Sequence, residues 1–262
     1  MTEQRSSRLL RDRVLLDVEM RLRAGNTVLV WGPWGIGKST WLAGLYERSV
    51  SEGVPCGLAP RTTSLHDVTE ALARAYPGVS LTNRSQRQVR SALRMALEAR
   101  PGILLLDDLR EAGTAMRGFL RSLRGTGLGI AIAVDVENSR ELARVRGLRL
   151  AYYQRAIPPL RGEPLGALVA RAWEPTIHPS DRRALIRIAS GRPGWVVRIA
   201  ERLRDDAYWR GCRICCEKLS ADVTLDALAH YVGTTRLNSP RERQRSTQGP
   251  RGVIGDDRSP II

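Results

Sequence analysis

Residues 31–40 read WGPWGIGKST. They follow the short apolar run NTVLVW (26–31) and precede WLAGLYERSV (41–50), whose apolar residues recur at helical spacing. Gly32, Pro33, Trp34, Gly35, Ile36, Gly37, Lys38 and Ser39 fit G-x-x-x-x-G-K-[ST] without mismatch. Glycines in such a loop let the backbone take positive φ and turn its N–H groups toward phosphate oxygens. A helix starting near Lys38 would point its positive end at the same oxygens. In this reading Lys38 brings a compact charge to the β- and γ-phosphates, Ser39 offers a hydroxyl to Mg²⁺, and Thr40 follows inside the cradle. Trp34 either packs on a neighbouring element or lies near the nucleotide.

The use of lysine adds an internal argument. Lys38 and Lys218 are the two lysines of the chain, and every other basic residue outside histidine is arginine. A planar guanidinium substitutes poorly for a small ammonium in this slot.

Downstream, GILLLDDL (102–109) has the continuous apolar run of a strand buried on both faces, and it ends in two acids. After a phosphate cradle, with room for a strand and helices between, Asp107 is the expected Mg²⁺-site acid. Asp108 is the acid expected to polarise the attacking water. Further strand-like runs at 26–31, 54–59, 128–134 and 150–157 alternate with helical patterns at about 39–51, 65–76, 84–99, 113–124 and 138–145. This alternation predicts an α/β fold with a five-stranded parallel sheet flanked by helices.

After Pro158-Pro159 the composition changes. Residues 163–173, 179–190 and 194–205 read as helices of a small helical lid, broken at His178-Pro179 and at Gly191-Arg192-Pro193-Gly194. Two more helices are predicted at 206–219 and 222–232. The expected organisation is an α/β core over 1–158, a lid with C-terminal helices over 159–233, and a basic, disordered tail over 234–262.

The 262 residues carry a formal net charge of +15 and a pI near 10.9, a balance suited to a polyanionic partner such as nucleic acid. Arg84, Arg87, Arg90 and Arg94 recur at spacings of three and four, as do Arg117, Arg121 and Arg124. Each stripe lies on one helix face and either follows a DNA backbone without sequence readout or is simply solvated. The basic tail is a second candidate for such contact. Four cysteines suggest no disulfide framework; Cys212, Cys215 and Cys216 with His230 are either part of a zinc site or residues of an amphipathic helix. No apolar run has the length of a membrane span and the charged N-terminus lacks a secretory h-region, so a cytoplasmic protein is expected.

On the cradle, the Asp107-Asp108 strand, a fifth strand and a helical lid, the chain resembles the AAA+ and STAND P-loop ATPases over about residues 8–205. Within these it is similar to origin-recognition-like and transposition-regulator ATPases. The resemblance implies ATP and Mg²⁺ as cofactors. It also implies a nucleotide-dependent conformational switch, with slow hydrolysis allowed because the second acid is Asp rather than Glu. It makes Asp135 the polar sensor at the end of the fourth strand. It offers Arg144, Arg146 and Arg149 as arginine fingers, with Arg146 or Arg149 favoured, acting on a neighbouring subunit of a homo-oligomer. SGRPGW resembles the G-x-P motif of the STAND class, which brings Pro193 near the adenine. A sensing arginine common in AAA+ relatives is replaced here by Gly194, with Arg192 and Arg198 as possible substitutes. The output is either association with DNA, as in transposition or replication helpers, or the gating of a protein partner. A pseudo-ATPase that holds nucleotide intact is a third reading. No guanine selector and no transporter signature are found.

Overall fold

A computed structural model describes residues 2–60, 62, 64–82, 85–109, 112–137, 141–142, 153–173 and 177–236. The apolar runs form the sheet. Strands β1 (Thr27–Gly32), β2 (Cys56–Ala59), β3 (Ile103–Leu106), β4 (Gly129–Asp135) and β5 (Tyr153–Ala156) lie in the order β2-β3-β4-β1-β5, and every pairing is parallel. β3 is buried along its whole length, as its unbroken aliphatic sequence requires, while edge strand β5 is half-exposed.

Helices cover both faces. On one, α1 (Thr2–Arg23) and α2 (Lys38–Ser51) build a core from Val18, Leu22, Leu42 and Leu45 against Val28, Val30 and Leu105. On the other, α3 (Leu65–Ala75), α4 (Gln86–Ala99) and α5 (Thr114–Ser122) pack Leu72, Leu93, Leu97 and Phe119 against Leu104, Leu106 and Ile132. Capping boxes start α3 and α4: Ser64 with Asp67, and Ser85 with Gln88.

The chain passes next to α6 (Glu163–Ala172), α7 (Pro179–Ala189) and α8 (Pro193–Arg202), close to the predicted helices. A helix at 206–219 is not found. Those residues form a short 3₁₀ turn (Asp206–Tyr208), strands β6 (Trp209–Arg210) and β7 (Arg213–Ile214) of an antiparallel hairpin, and the start of α9 (Cys216–Arg236). Gly211 takes φ 61° at the hairpin turn. Asp181, only 4% exposed, accepts from Arg213 Nε (3.0 Å), Arg213 Nη2 (2.7 Å) and the Ile214 amide (3.1 Å). That anchor draws the segment out of the helix its own sequence suggests. Cys212 is exposed in the hairpin turn while Cys216 opens α9, so the cysteines do not share one helix. Among the described residues no three His, Cys, Asp or Glu side chains gather as a metal site.

Helix α1 is an addition to the predicted elements. Arginines interrupt its apolar residues, yet Val18 and Leu22 are fully buried. Asp17 ties it to the sheet edge, accepting from Arg21 (2.9 Å) and from Arg155 of β5 (2.8 Å). The chain divides into two units, residues 1–220 and 221–262, and in the second the described residues continue α9. Of the predicted helix at 138–145 only residues 141–142 are described, and they are helical; the rest of it, Arg84 and the tail from 237 lie outside the described residues. No helix among the described residues is long and apolar enough to cross a membrane.

Candidate nucleotide site

Strand order places the chemistry. β1 and β4 are neighbours with Gly32 opposite Asp135, and β3 lies on the far side of β4. The carboxyl ends of β1, β3 and β4 therefore share one edge, at the point where the strand order reverses; ligands of open α/β sheets bind there.

The turn from β1 into α2 needs glycine. Gly35 has φ 80° and Gly37 φ 98°, both in the left-handed region. Gly37 is the N-cap of α2 and no side chain caps that end, which leaves the first N–H groups of the helix available to an external acceptor. Lys38 is 5% exposed. Its Nζ donates to Gly32 O (2.7 Å) and Pro33 O (2.9 Å) and lies 2.5 Å from Asp135 Oδ1. Burial pushes the Lys38 pKa down, and Asp135 pulls it back up.

Asp107 follows β3, and burial raises its pKa; a hydrogen bond from Ser39 opposes that shift. The two residues expected to share a metal ion are thus in contact. Asp108 takes φ 50°, a rare value outside glycine that Asp tolerates, and its amide donates to Asp107 Oδ1 at 3.1 Å.

The structure brings a second group of residues onto the cradle. The Gly194 amide donates to Gly35 O at 2.8 Å, and a Cβ on Gly194 would meet Gly35 Cα at 2.8 Å. No side chain fits at 194 in this arrangement, which accounts for glycine where the resemblance expects arginine. Arg192 forms a two-pronged pair with Glu137 (3.2 and 3.0 Å) and stacks 4.6 Å from the Trp195 ring. Arg198 pairs with Glu201 and sits 6.0 Å from the Trp34 ring centroid, so Trp34 contacts α8. Both candidate substitutes for the missing arginine are engaged elsewhere. Pro193 Cγ is 3.9 Å from the place a Cβ on Gly37 would occupy.

Three contributors are not among the site residues expected from the sequence. Arg11 of α1 donates to Ile36 O (3.0 Å) and Pro158 O (3.2 Å), joining the cradle to the chain beyond β5. Burial lowers its pKa. Glu137 and Trp195 are the others. Nothing in the sequence singles out Arg11 among so many arginines, whereas Trp195 sits inside the quoted SGRPGW turn. Arg146 and Arg149 lie outside the described residues.

The sheet order, the cradle after β1 and the acids after β3 define a P-loop NTPase fold. No protein-family model and no curated protein matches the sequence. Among solved structures it is similar to the ORC2 protein of Aeropyrum pernix, at 17% identity and a TM-score of 0.46, over 87% of this chain and 69% of that one. DnaA from Aquifex aeolicus, bound to AMPPCP, gives 14% identity and a TM-score of 0.47 over 76% of this chain and 62% of its own. RuvB of Thermotoga maritima, a Holliday junction branch migration motor, gives 15% and 0.45 over 84% and 68%.

Proposed function

We propose that the chain binds Mg-ATP at this cradle, hydrolyses it slowly, and uses the bound state to set the position of its C-terminal helices as a lid. The observation that carries this reading is the joint presence of a buried Lys38 and a Ser39–Asp107 contact at the carboxyl ends of the central strands. Gly32, Pro33, Trp34, Gly35, Ile36 and Gly37 wrap the phosphates, with Thr40 behind them. Lys38 exchanges part of its present bonding for phosphate oxygens. Ser39 and Asp107 would hold Mg²⁺. Bound there, the ion would neutralise phosphate charge. Asp108 accepts a hydrogen bond from the attacking water at a carboxylate oxygen and orients it. Asp135 marks the γ-phosphate side, and Pro193 lies toward the base. An arginine from a neighbouring subunit, Arg146 or Arg149, completes the site in a homo-oligomer of a cytoplasmic protein.

In this reading the switch works in association with DNA. Net charge and the arginine stripes support it. Arg90 of α4 lies 5.7 Å from the Phe119 ring of α5, so the helices that carry the two stripes touch. Arg87 of α4 and Arg121 of α5 are exposed without a carboxylate partner among the described residues, while Arg94 pairs with Glu98. Exposed arginines of this kind bind a phosphate backbone in a salt-dependent, sequence-tolerant way.

The deciding experiment is ATP hydrolysis at low and moderate salt, with and without double-stranded DNA, for the wild type, Lys38→Ala and Asp108→Ala. The reading holds if DNA raises the rate, more so at low salt, and both variants are inactive. A rate indifferent to DNA moves the switch to a protein partner. Nucleotide bound and left intact would indicate a pseudo-ATPase.

A further inference from the structure

Three tryptophans lie in the segment from α6 to the hairpin. Two have acceptors for their indole N–H groups: Trp173 Nε1 donates to Val196 O at 3.0 Å, and Trp209 Nε1 to Leu203 O at 2.9 Å. The third, Trp195, has its Nε1 buried with no acceptor. A buried donor without a partner is costly, and its persistence calls for an explanation.

Its location supplies one. Trp195 Cδ1 lies 2.8 Å, and Nε1 3.4 Å, from the position a Cβ on Gly35 would take. The polar edge of the indole therefore rests on the glycine of the phosphate cradle. The adjacent amide, Gly194 N–H, is bonded to Gly35 O. The Arg192 guanidinium, 4.6 Å from the ring centroid, adds positive potential beside the N–H. Trp41 Nε1 is also buried without an acceptor, but it packs among Leu42 and Leu45 in the core against β1. Lack of an acceptor alone does not mark a site; the seat on Gly35 is what separates Trp195.

We propose that the Trp195 indole N–H is a positioning donor for a phosphate oxygen of the nucleotide held in the cradle, standing in for the charged side chain that Gly194 cannot carry. This rests on the nucleotide-binding reading above. An indole donates one hydrogen bond and carries no charge. It would register the arrival of phosphate oxygens without adding to their neutralisation, which remains with Lys38. A lid that holds nucleotide by a neutral donor suits a switch that releases it readily.

The test is Trp195→Phe in the full chain, which keeps an aromatic ring on Gly35 and removes the N–H. Mg-ATP affinity, followed by calorimetry, is expected to fall about tenfold, as for loss of a hydrogen bond to a charged group. The melting temperature without nucleotide is expected to hold or rise, because a buried unpaired donor is gone. An affinity within about twofold of wild type, less than the smallest worth of one hydrogen bond, overturns the proposal. If that variant does not fold, tryptophan-¹⁵N-labelled wild type gives the answer: the Trp195 indole cross-peak moves downfield on adding Mg-ATP, and one that stays in place overturns it. Lys38→Ala separates the two readings. Affinity abolished in Lys38→Ala but kept in Trp195→Phe refutes only the indole donor, whereas wild type that binds no nucleotide refutes both.

Discussion

Lys38 Nζ, from the first residue of α2, and Asp135 Oδ1, from the last residue of β4, stand 2.5 Å apart. The pair eases a problem of burial: the ammonium is 5% exposed, burial pushes its pKa down, and the Asp135 carboxylate opposes that shift. The same carboxylate opposes an incoming triphosphate. Asp135→Asn is therefore expected to act in opposite senses on stability and on binding. Without ligand the protein loses about 2 kcal/mol, less than the full cost of breaking a buried pair because Gly32 O and Pro33 O still accept from Lys38. Mg-ATP binds several-fold tighter. Denaturant melts and nucleotide titrations on one preparation check both.

The two acids after β3 are expected to separate cleanly. Asp108→Asn keeps nucleotide affinity and lowers turnover by roughly 100-fold, the usual worth of a group that positions water. Asn is the suitable substitution because it tolerates the φ of 50° at this position, whereas Ala there adds about 1 kcal/mol of backbone strain. Asp107→Asn should instead abolish the part of the affinity that depends on Mg²⁺. Binding measured with and without the ion distinguishes them.

Asp181 makes an acid-limb prediction. Its bonds from Arg213 and the Ile214 amide depress its pKa to about 2, against an ordinary aspartate value of about 3.9. A folded-state pKa below the unfolded value means that its stabilisation is complete above about pH 4 and diminishes as the pH falls toward 2. Asp181→Asn should be less stable than wild type at neutral pH, by about 1–3 kcal/mol, and the gap should close on acidification. Chemical melts from acid to neutral pH check the sign.

The exposed arginines of α4 and α5 give a graded test. Arg87→Ala with Arg121→Ala is expected to weaken DNA binding across sequences alike and to reduce the salt slope by about 2, one for each phosphate no longer neutralised. ATP affinity without DNA should not change, since neither residue touches the cradle. Filter binding over a salt series reads both.

Much of this site is legible in the residue order because the chemistry is local. The cradle needs its glycines, Lys38 and Ser39 in one short loop, and β3 shows itself as aliphatics ending in acids. The strand pairing that brings Asp135 to Lys38 is not local, and only the resemblance points to Asp135. Arg11 and Glu137 give no signal, since their roles depend on which carbonyl or guanidinium they meet after folding. The hairpin at 209–214 reads as helix for a related reason: Arg213 and Ile214 are held by Asp181, some thirty residues earlier. Helix α1 is hidden because arginines interleave its apolar residues, and its register is set by packing against the sheet.

The meeting of Gly194 with Gly35 has a consequence for how this chain can vary. One link between the cradle and α8 is made by an amide, a carbonyl and the lack of two side chains. Sequence drift that trims or exchanges side chains elsewhere leaves such a link intact, because none of its atoms belongs to a side chain. Only growth can break it: a single methyl at either glycine acts as a wedge. That contact is thus robust to most substitutions and vulnerable at two positions, where the smallest possible addition would break it.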